Sequence, residues 1–278
     1  MSNKRYSNKG VNAAARAQAN AAAEQESKRQ TLIVCAVAAA VVLVAIVLAL
    51  VLGGVDKNNT TDGTTTTTTT TTTSSETTSS ADKNADMAAI KAEINSKAVA
   101  DFVETTETTE YVKLTVKHYG DVIIRLRSDI APITVANFQK LVGDGFYNGL
   151  TFHRIMKGFM IQGGDPKGDG TGGSSTTIKG EFKINGVQND LSHITGVISM
   201  ARRALPYDSA TSQFFICNAD ASSRLDGSYA AFGYVVAGLD VILTVSEVEV
   251  TANAAGTEQS EPVEKVYIEK VCFVTPKQ

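Results

Sequence analysis

Two neighbouring stretches concentrate side chains that could act on a substrate. One is Phe152-His153-Arg154-Ile155; the other is Gly158-Phe159-Met160-Ile161-Gln162-Gly163-Gly164-Asp165. Together they set an arginine, a glutamine, a methionine and an aromatic ring on adjacent short strands. Arginine is permanently charged and presents a rigid fork of donors. Beside an apolar wall it suits electrostatic work on a polar group of a ligand. His153 invites a nucleophilic triad, but no nucleophile-elbow motif accompanies it, so it reads as structural. His118 and His193 are isolated, and three scattered histidines make no zinc site. Gly168-Asp169-Gly170-Thr171-Gly172-Gly173 has the look of a phosphate loop. It lacks the Lys-Ser/Thr and helix start that such a loop requires, and reads as a mobile surface loop. Arg202-Arg203 reads as a solvated basic pair bordering the same region.

Further motifs follow in order: Ser199-Met200-Ala201, Ser212-Gln213-Phe214-Phe215-Ile216, Leu225-Asp226-Gly227 and Phe232-Gly233. From about Tyr111 to Thr275 the series resembles the cyclophilin family of peptidyl-prolyl cis-trans isomerases. The resemblance implies a mainly β fold, an eight-stranded antiparallel barrel capped by two α-helices. It implies that Arg154 is the main catalytic residue and that Phe159 and Met160 line a proline pocket. Gln162 takes the position that binds the substrate backbone. Ala201, Gln213, Phe215 and Leu225 match further binding positions. Tyr229 stands where many members have His; it still offers an aromatic wall with a polar tip and is kept as a pocket residue. Arg224 stands where many members have a Trp tied to tight cyclosporin binding, so weak cyclosporin binding is expected. The loop from Arg202 to Thr211 is longer than in the familiar eukaryotic members. The implied partners are proline-containing peptides and unfolded proteins.

Rotation about an X-Pro bond faces a barrier of ~18–20 kcal/mol set by amide resonance. At the twisted transition state the prolyl nitrogen regains a lone pair. A donor aimed at that nitrogen favours the transition state over either ground state. An apolar pocket favours the less charge-separated twisted amide. Nothing in this scheme calls for a nucleophile, a metal or a cofactor.

The elements that must hold these residues are mostly strands. Val112, Leu114 and Val116 alternate with Lys113, Thr115 and Lys117, the pattern of a half-buried strand over Tyr111–Tyr119. Gly120-Asp121 signals a turn, and Val122–Leu126 returns as the second arm of a hairpin. Pro132 suits a first helical turn; Val135, Phe138, Leu141 and Val142 give its apolar face, and Gly143 ends it. Short strands are expected near Phe152–Ile155, Met160–Gln162, Gly196–Met200, Phe214–Asn218 and Ala231–Val236. A second helix is expected over Asp240–Val245 and a closing strand over Lys265–Val274. Seven or eight short strands and two helices suggest a closed barrel capped by helices.

Ahead of this domain, assigned to 105–278, the chain changes character several times. Residues 1–30 are polar and basic and are expected to form a disordered cytoplasmic tail. Residues 31–52 carry no charge and no proline from Leu32 on. As a helix of about 21 residues, that run would span roughly 32 Å, enough to cross a bilayer core. It is expected to be a single transmembrane anchor, and the basic flank places the N-terminus in the cytoplasm. Residues 53–86, with the unbroken tract Thr64–Thr73, read as a disordered Thr/Ser-rich linker. Residues 87–104 are expected to hold a short amphipathic helix through Met87, Ile90 and Ile94. The net charge of -3 gives no basic bias towards nucleic acid. Cys35, Cys217 and Cys272 lack metal-ligand spacing and read as core thiols.

The leading expectation is an isomerase anchored in the cell membrane with its catalytic domain outside. It would act on X-Pro bonds of extracytoplasmic proteins and accelerate their folding; the single span, Thr stalk and compact domain suggest a bacterium without an outer membrane. The alternatives are a membrane-tethered peptide-binding or chaperone module with little catalysis, and a surface adhesin on a stalk.

Overall fold

The structure, a computed structural model, describes residues 80–278. The tail 1–30, the apolar stretch 31–52, most of the linker and Cys35 lie outside the described residues. Among the described residues no helix is long and apolar enough to cross a membrane.

Among the described residues, the first element is helix α1 (Ser80–Glu93); it begins at Ser80 rather than Met87 and ends well before residue 104. Its Ala-rich sequence favours helix. After a 3-10 turn at Val99–Asp101 come the short strand β1 (Phe102–Glu104) and the hairpin of β2 (Tyr111–Val116) and β3 (Gly120–Leu126). The hairpin's turn falls on Lys117–Tyr119 rather than Gly120-Asp121. His118 takes the left-handed conformation there, at φ 70°. Helix α2 (Pro132–Gly143) opens with Pro132 and closes with Gly143, as its sequence signals imply. Its first N–H groups have no side-chain cap from Ala131. The carboxylate of Glu181 accepts from Ile133 N at 3.1 Å, Thr134 N at 2.8 Å and Thr134 Oγ1 at 2.7 Å instead.

The strands that follow are β4 (Thr151–Met156), β5 (Met160–Asp165), β6 (Val197–Met200) and β7 (Phe214–Cys217). The one-turn helix α3 (Ser222–Leu225) precedes β8 (Ala231–Ala237), and helix α4 (Leu239–Val245) follows it. A small separate hairpin, β9 (Val250–Ala252) with β10 (Gln259–Pro262), leads into the long strand β11 (Val266–Pro276). The sheet order is β11-β2-β3-β8-β6-β7-β5-β4, with every neighbouring pair antiparallel, and β4 pairs back onto β11 through Phe152↔Val266 and Thr151↔Tyr267. Eight strands therefore close into a barrel. β1 lies outside that count and pairs with the last residues of β11.

Inside the barrel sit Leu114, Ile124, Phe152, Ile161, Phe214, Ile216 and Phe232, among others. Helices α2 and α4 cap the two open ends of this core with Phe138, Leu141, Val241 and Ile242. Phe138 meets Phe214 edge-on at 5.6 Å. β8 is buried on both faces, because a second cluster covers its outer face. That cluster joins Ile90 of α1 to Phe102, Tyr234, Val236 and Val274. The helix expected at the edge of the domain is thus packed onto the barrel wall.

Candidate active site

The chemistry-bearing residues gather on the outside of the barrel where β4, β5 and β7 run side by side. A β-bulge in β4 aims the arginine. Phe152 pairs with Gly163 and Arg154 with Gln162, so β4 spends two steps where β5 spends one. In a regular strand, period-2 alternation would put Phe152 and Arg154 on one face. With the bulge, Phe152 and Ile155 both point into the core and Arg154 turns outward beside Gln162. On β5 and β7 the alternation is regular. Ile161, Phe214 and Ile216 point in, while Met160, Phe215 and Cys217 point out. Gly164, next to last in β5, has φ +84°, and a Cβ there would lie 2.5 Å from Ser212 O. Only glycine permits that close crossing.

The outward residues form a small apolar cluster of their own. Met160, Phe215, Cys217, Ala221 and Leu225 are buried in it; Met156, Phe159, Ala201 and Tyr229 pack around them. Phe215 meets Tyr229 edge-on at 5.8 Å. Beside this cluster, Arg154 Nη1 lies 3.2 Å from Gln162 Oε1 and 3.7 Å from Met160 Sδ. Its Cζ stands 5.9 Å from the Phe159 ring centre. Gln162 Nε2 donates to Gln213 Oε1 at 2.8 Å, and Gln213 Nε2 donates in turn to Gly172 O at 2.7 Å. All the residues singled out from the sequence are therefore brought together: Arg154, Phe159, Met160, Gln162, Ala201, Gln213, Phe215, Leu225 and Tyr229.

Several readings of the surroundings need correction. The glycine loop 168–173 lies at the surface and carries several hydrogen bonds. Asp165 accepts from Lys167 N at 2.8 Å and Gly170 N at 2.6 Å, and Gln213 holds its carbonyls. It borders a groove of about 590 Å³ that runs from Gln162 and Gln213 to Arg202 and Arg203. Arg202 is packed rather than solvated. Its guanidinium lies over Tyr229 at 4.5 Å, Phe182 at 5.0 Å and Tyr207 at 5.1 Å, and it donates to Ser228 O. Aromatic faces attract a guanidinium, and those rings come from three separate loops. His193 is not isolated. Its Nδ1 meets Asp226 Oδ1 at 2.8 Å, its Nε2 meets Ser199 Oγ at 2.9 Å, and its ring stacks on Phe215. Ser199 is fully buried, so this chain of bonds braces the pocket floor and offers no nucleophile. His153 has both ring nitrogens buried without a partner among the described residues, and burial lowers its pKa. Cys217 and Cys272 are free thiols, and burial pushes Cys217 up to about 12.

One residue of the site was not legible in the sequence. Glu258 accepts from Arg154 Nε at 2.6 Å and from Arg154 Nη2 at 2.7 Å. The arginine beside it holds its carboxyl below the usual range. Glu258 lies in the β9–β10 hairpin, whose short strands carry no clear alternation.

Comparison with known proteins agrees with this architecture. The family model described as cyclophilin type peptidyl-prolyl cis-trans isomerase/CLD matches residues 111–272. The chain is 44% identical over 125 residues to peptidyl-prolyl cis-trans isomerase B of Bacillus subtilis, covering 45% of this chain and 82% of that protein. It is 40% identical over 163 residues to peptidyl-prolyl cis-trans isomerase-like 2 of Rhizopus delemar, spanning 58% of this chain and 28% of that protein. A crystal structure of a Cryptosporidium parvum cyclophilin type peptidyl-prolyl cis-trans isomerase, determined in the presence of the dipeptide Ala-Pro, superposes with a TM-score of 0.52 at 28% identity. That match covers 59% of this chain and 98% of the other. The barrel's closure, the family match over more than half of the sequence and relatives named for one activity converge, and the chain belongs to the cyclophilin-type peptidyl-prolyl cis-trans isomerases.

Proposed function

We propose that this isomerase acts on X-Pro bonds of proteins outside the cytoplasmic membrane and accelerates their folding. In this reading, residues 31–52 anchor it, the N-terminus is cytoplasmic and the catalytic domain is extracellular. The observation that carries the catalytic part is Arg154 Nη1 beside Met160 and Gln162 at the edge of an apolar cluster.

A proline ring enters against Phe159, Met160, Phe215 and Leu225. Gln162, Gln213 and Ala201 hold the flanking backbone, and Tyr229 closes the far side. Gln162 and Gln213 already bond to each other, so both amides are set before a peptide arrives. As the amide twists, Arg154 donates to the prolyl nitrogen, whose lone pair is released only then. One preorganised donor of this kind is worth about 2.7–4 kcal/mol in analogous sites. The unaided reaction takes tens to hundreds of seconds, slow enough to limit the folding of exported chains. The Ala-Pro dipeptide named for the Cryptosporidium parvum structure supports a proline-containing ligand here. The apolar run of the sequence at 31–52 supports the anchor.

Arg154→Ala should lower kcat/KM for X-Pro isomerisation about 10²–10³-fold, with the circular dichroism of the full chain unchanged. Intact peptide binding with no activity in the parent protein would instead support a tethered peptide-binding module. The topology has its own check: protease added to intact cells should reach the domain. Protection that lasts until lysis would refute the extracellular placement.

A further inference from the structure

The catalytic arginine is not free in its groove. Glu258, the last residue before β10, lies 104 positions along the chain from Arg154. Its two oxygens take one edge of the guanidinium, Nε at 2.6 Å and Nη2 at 2.7 Å. Nη2 also lies 3.1 Å from Met156 Sδ. Nη1 is left on the opposite side, over Met160 and Gln162. Both side chains are half-buried, 31% exposed for Arg154 and 24% for Glu258.

The hairpin that carries Glu258 is itself braced. Asn253 N donates to Glu258 O at 2.8 Å, and Thr257 N donates to Asn253 Oδ1 at 3.0 Å. Val263 N donates to Glu249 O at 3.0 Å and closes the far end. β10 packs beside β4, which carries Arg154. The carboxylate is thus presented from a fixed position. A bidentate arginine–carboxylate pair fixes the plane of the guanidinium as well as its distance.

We propose that Glu258 is a positioning residue for the isomerase: it holds the Arg154 guanidinium so that Nη1 faces the proline subsite. The inference rests on the catalytic role of Arg154 given above. A free arginine side chain samples many rotamers, and a donor helps a transition state most when it needs no reorganisation. Glu258 removes that search. It takes the edge that does not face the pocket, so it does not compete with the substrate for Nη1.

The test uses the full chain with Glu258→Ala, Glu258→Gln, Arg154→Ala and the double variant Arg154→Ala/Glu258→Ala. Glu258→Ala should lower kcat about tenfold, a fraction of the loss of the donor itself, with KM unchanged. Glu258→Gln keeps the shape and one acceptor, so its kcat should fall between parent and Glu258→Ala. In the Arg154→Ala background, Glu258→Ala should have no further effect. The Arg154 Nε–H resonance should shift in the Glu258→Gln protein, which reads the contact even if the alanine variant fails to fold. Unchanged or faster turnover in Glu258→Gln overturns the proposal. An equal further loss in the Arg154→Ala background overturns it too, because Glu258 would then act through the fold. Should Arg154→Ala itself leave kcat intact, the catalytic assignment fails and the positioning role with it. A large loss in Arg154→Ala beside a silent Glu258→Gln overturns the positioning role alone.

Discussion

Two guanidinium groups lie near the Phe159 ring. Arg154 Cζ lies 5.9 Å from its centre and Arg224 Cζ lies 5.6 Å away. Cation–π contacts at exposed sites are worth about 0.5–1 kcal/mol each, so the ring is steadied at the lip of the pocket. Arg224 is exposed, and the pocket rim carries its charge where an aromatic ring would give apolar area. Arg224→Trp should therefore tighten cyclosporin binding by about tenfold or more, the gain expected from one well-buried aromatic. Titration calorimetry on both proteins checks this; equal affinities would show that the residue at 224 does not set cyclosporin affinity. Isomerase activity should change little, since Arg224 does not touch the reacting bond in the proposed mechanism.

Two elements at the N-terminal side of the domain make predictions about stability. Helix α1 buries Ile90 to 1% exposure against the outer face of β8. Its Glu93 accepts from Tyr234 Oη at 2.7 Å and from Arg125 Nη1 at 2.9 Å. Ile90→Ala should destabilise the domain by about 2–5 kcal/mol, measured by urea unfolding. A cost near zero would mean that the helix is not docked in solution. Strand β1 is held through Glu104, which pairs with Lys113 and Lys270, each at 2.6 Å. The bond to Lys113 is the main reason that the Glu104 carboxyl is lowered from 4.5 to about 2. A depressed carboxyl contributes stability above its unfolded pKa and loses it as pH falls through the folded one. The contribution of Glu104 is thus present above pH 4.5 and fades towards pH 2. Glu104→Gln should flatten the fall of Tm across that window while leaving its neutral-pH shape intact. An unchanged acid profile would rule the pairing out as a contributor.

At the scale of the molecule the barrel is closed by a short pairing, two residues of β11 against two of β4. The interior is filled by aromatics that touch one another, Phe138, Tyr147, Phe152, Phe214 and Phe232 among them. Removing one leaves a cavity that a closed barrel cannot collapse into. Phe214→Ala should cost about 3–5 kcal/mol. Because Phe214 and Phe215 share a strand, it should also lower activity before the fold is lost. Thermal melts followed by activity at sub-melting temperatures check both. A small cost would mean that the core relaxes more than its packing implies.

Local pattern was enough for much of this. Alternation in Tyr111–Val116, the Pro132 start and Gly143 stop of α2, and the apolar runs of β6, β7 and β8 follow from side-chain period and backbone chemistry. The motif series also carried the family, and the residues it singled out do share one face. The β9–β10 hairpin was not legible, because three- and four-residue strands are too short to show a period. The partners of Arg202 and His193 were hidden because they come from distant loops. So was the placement of α1, whose apolar face names no partner. Arg154 shows the division most clearly. The sequence by itself determined that an arginine belongs beside Phe159, Met160 and Gln162. Only the tertiary structure decided that a bulge at His153 turns it outward and that Glu258 takes one edge of its fork. A bulge depends on how two strands register, and an ion pair across 104 residues depends on closure of the whole barrel.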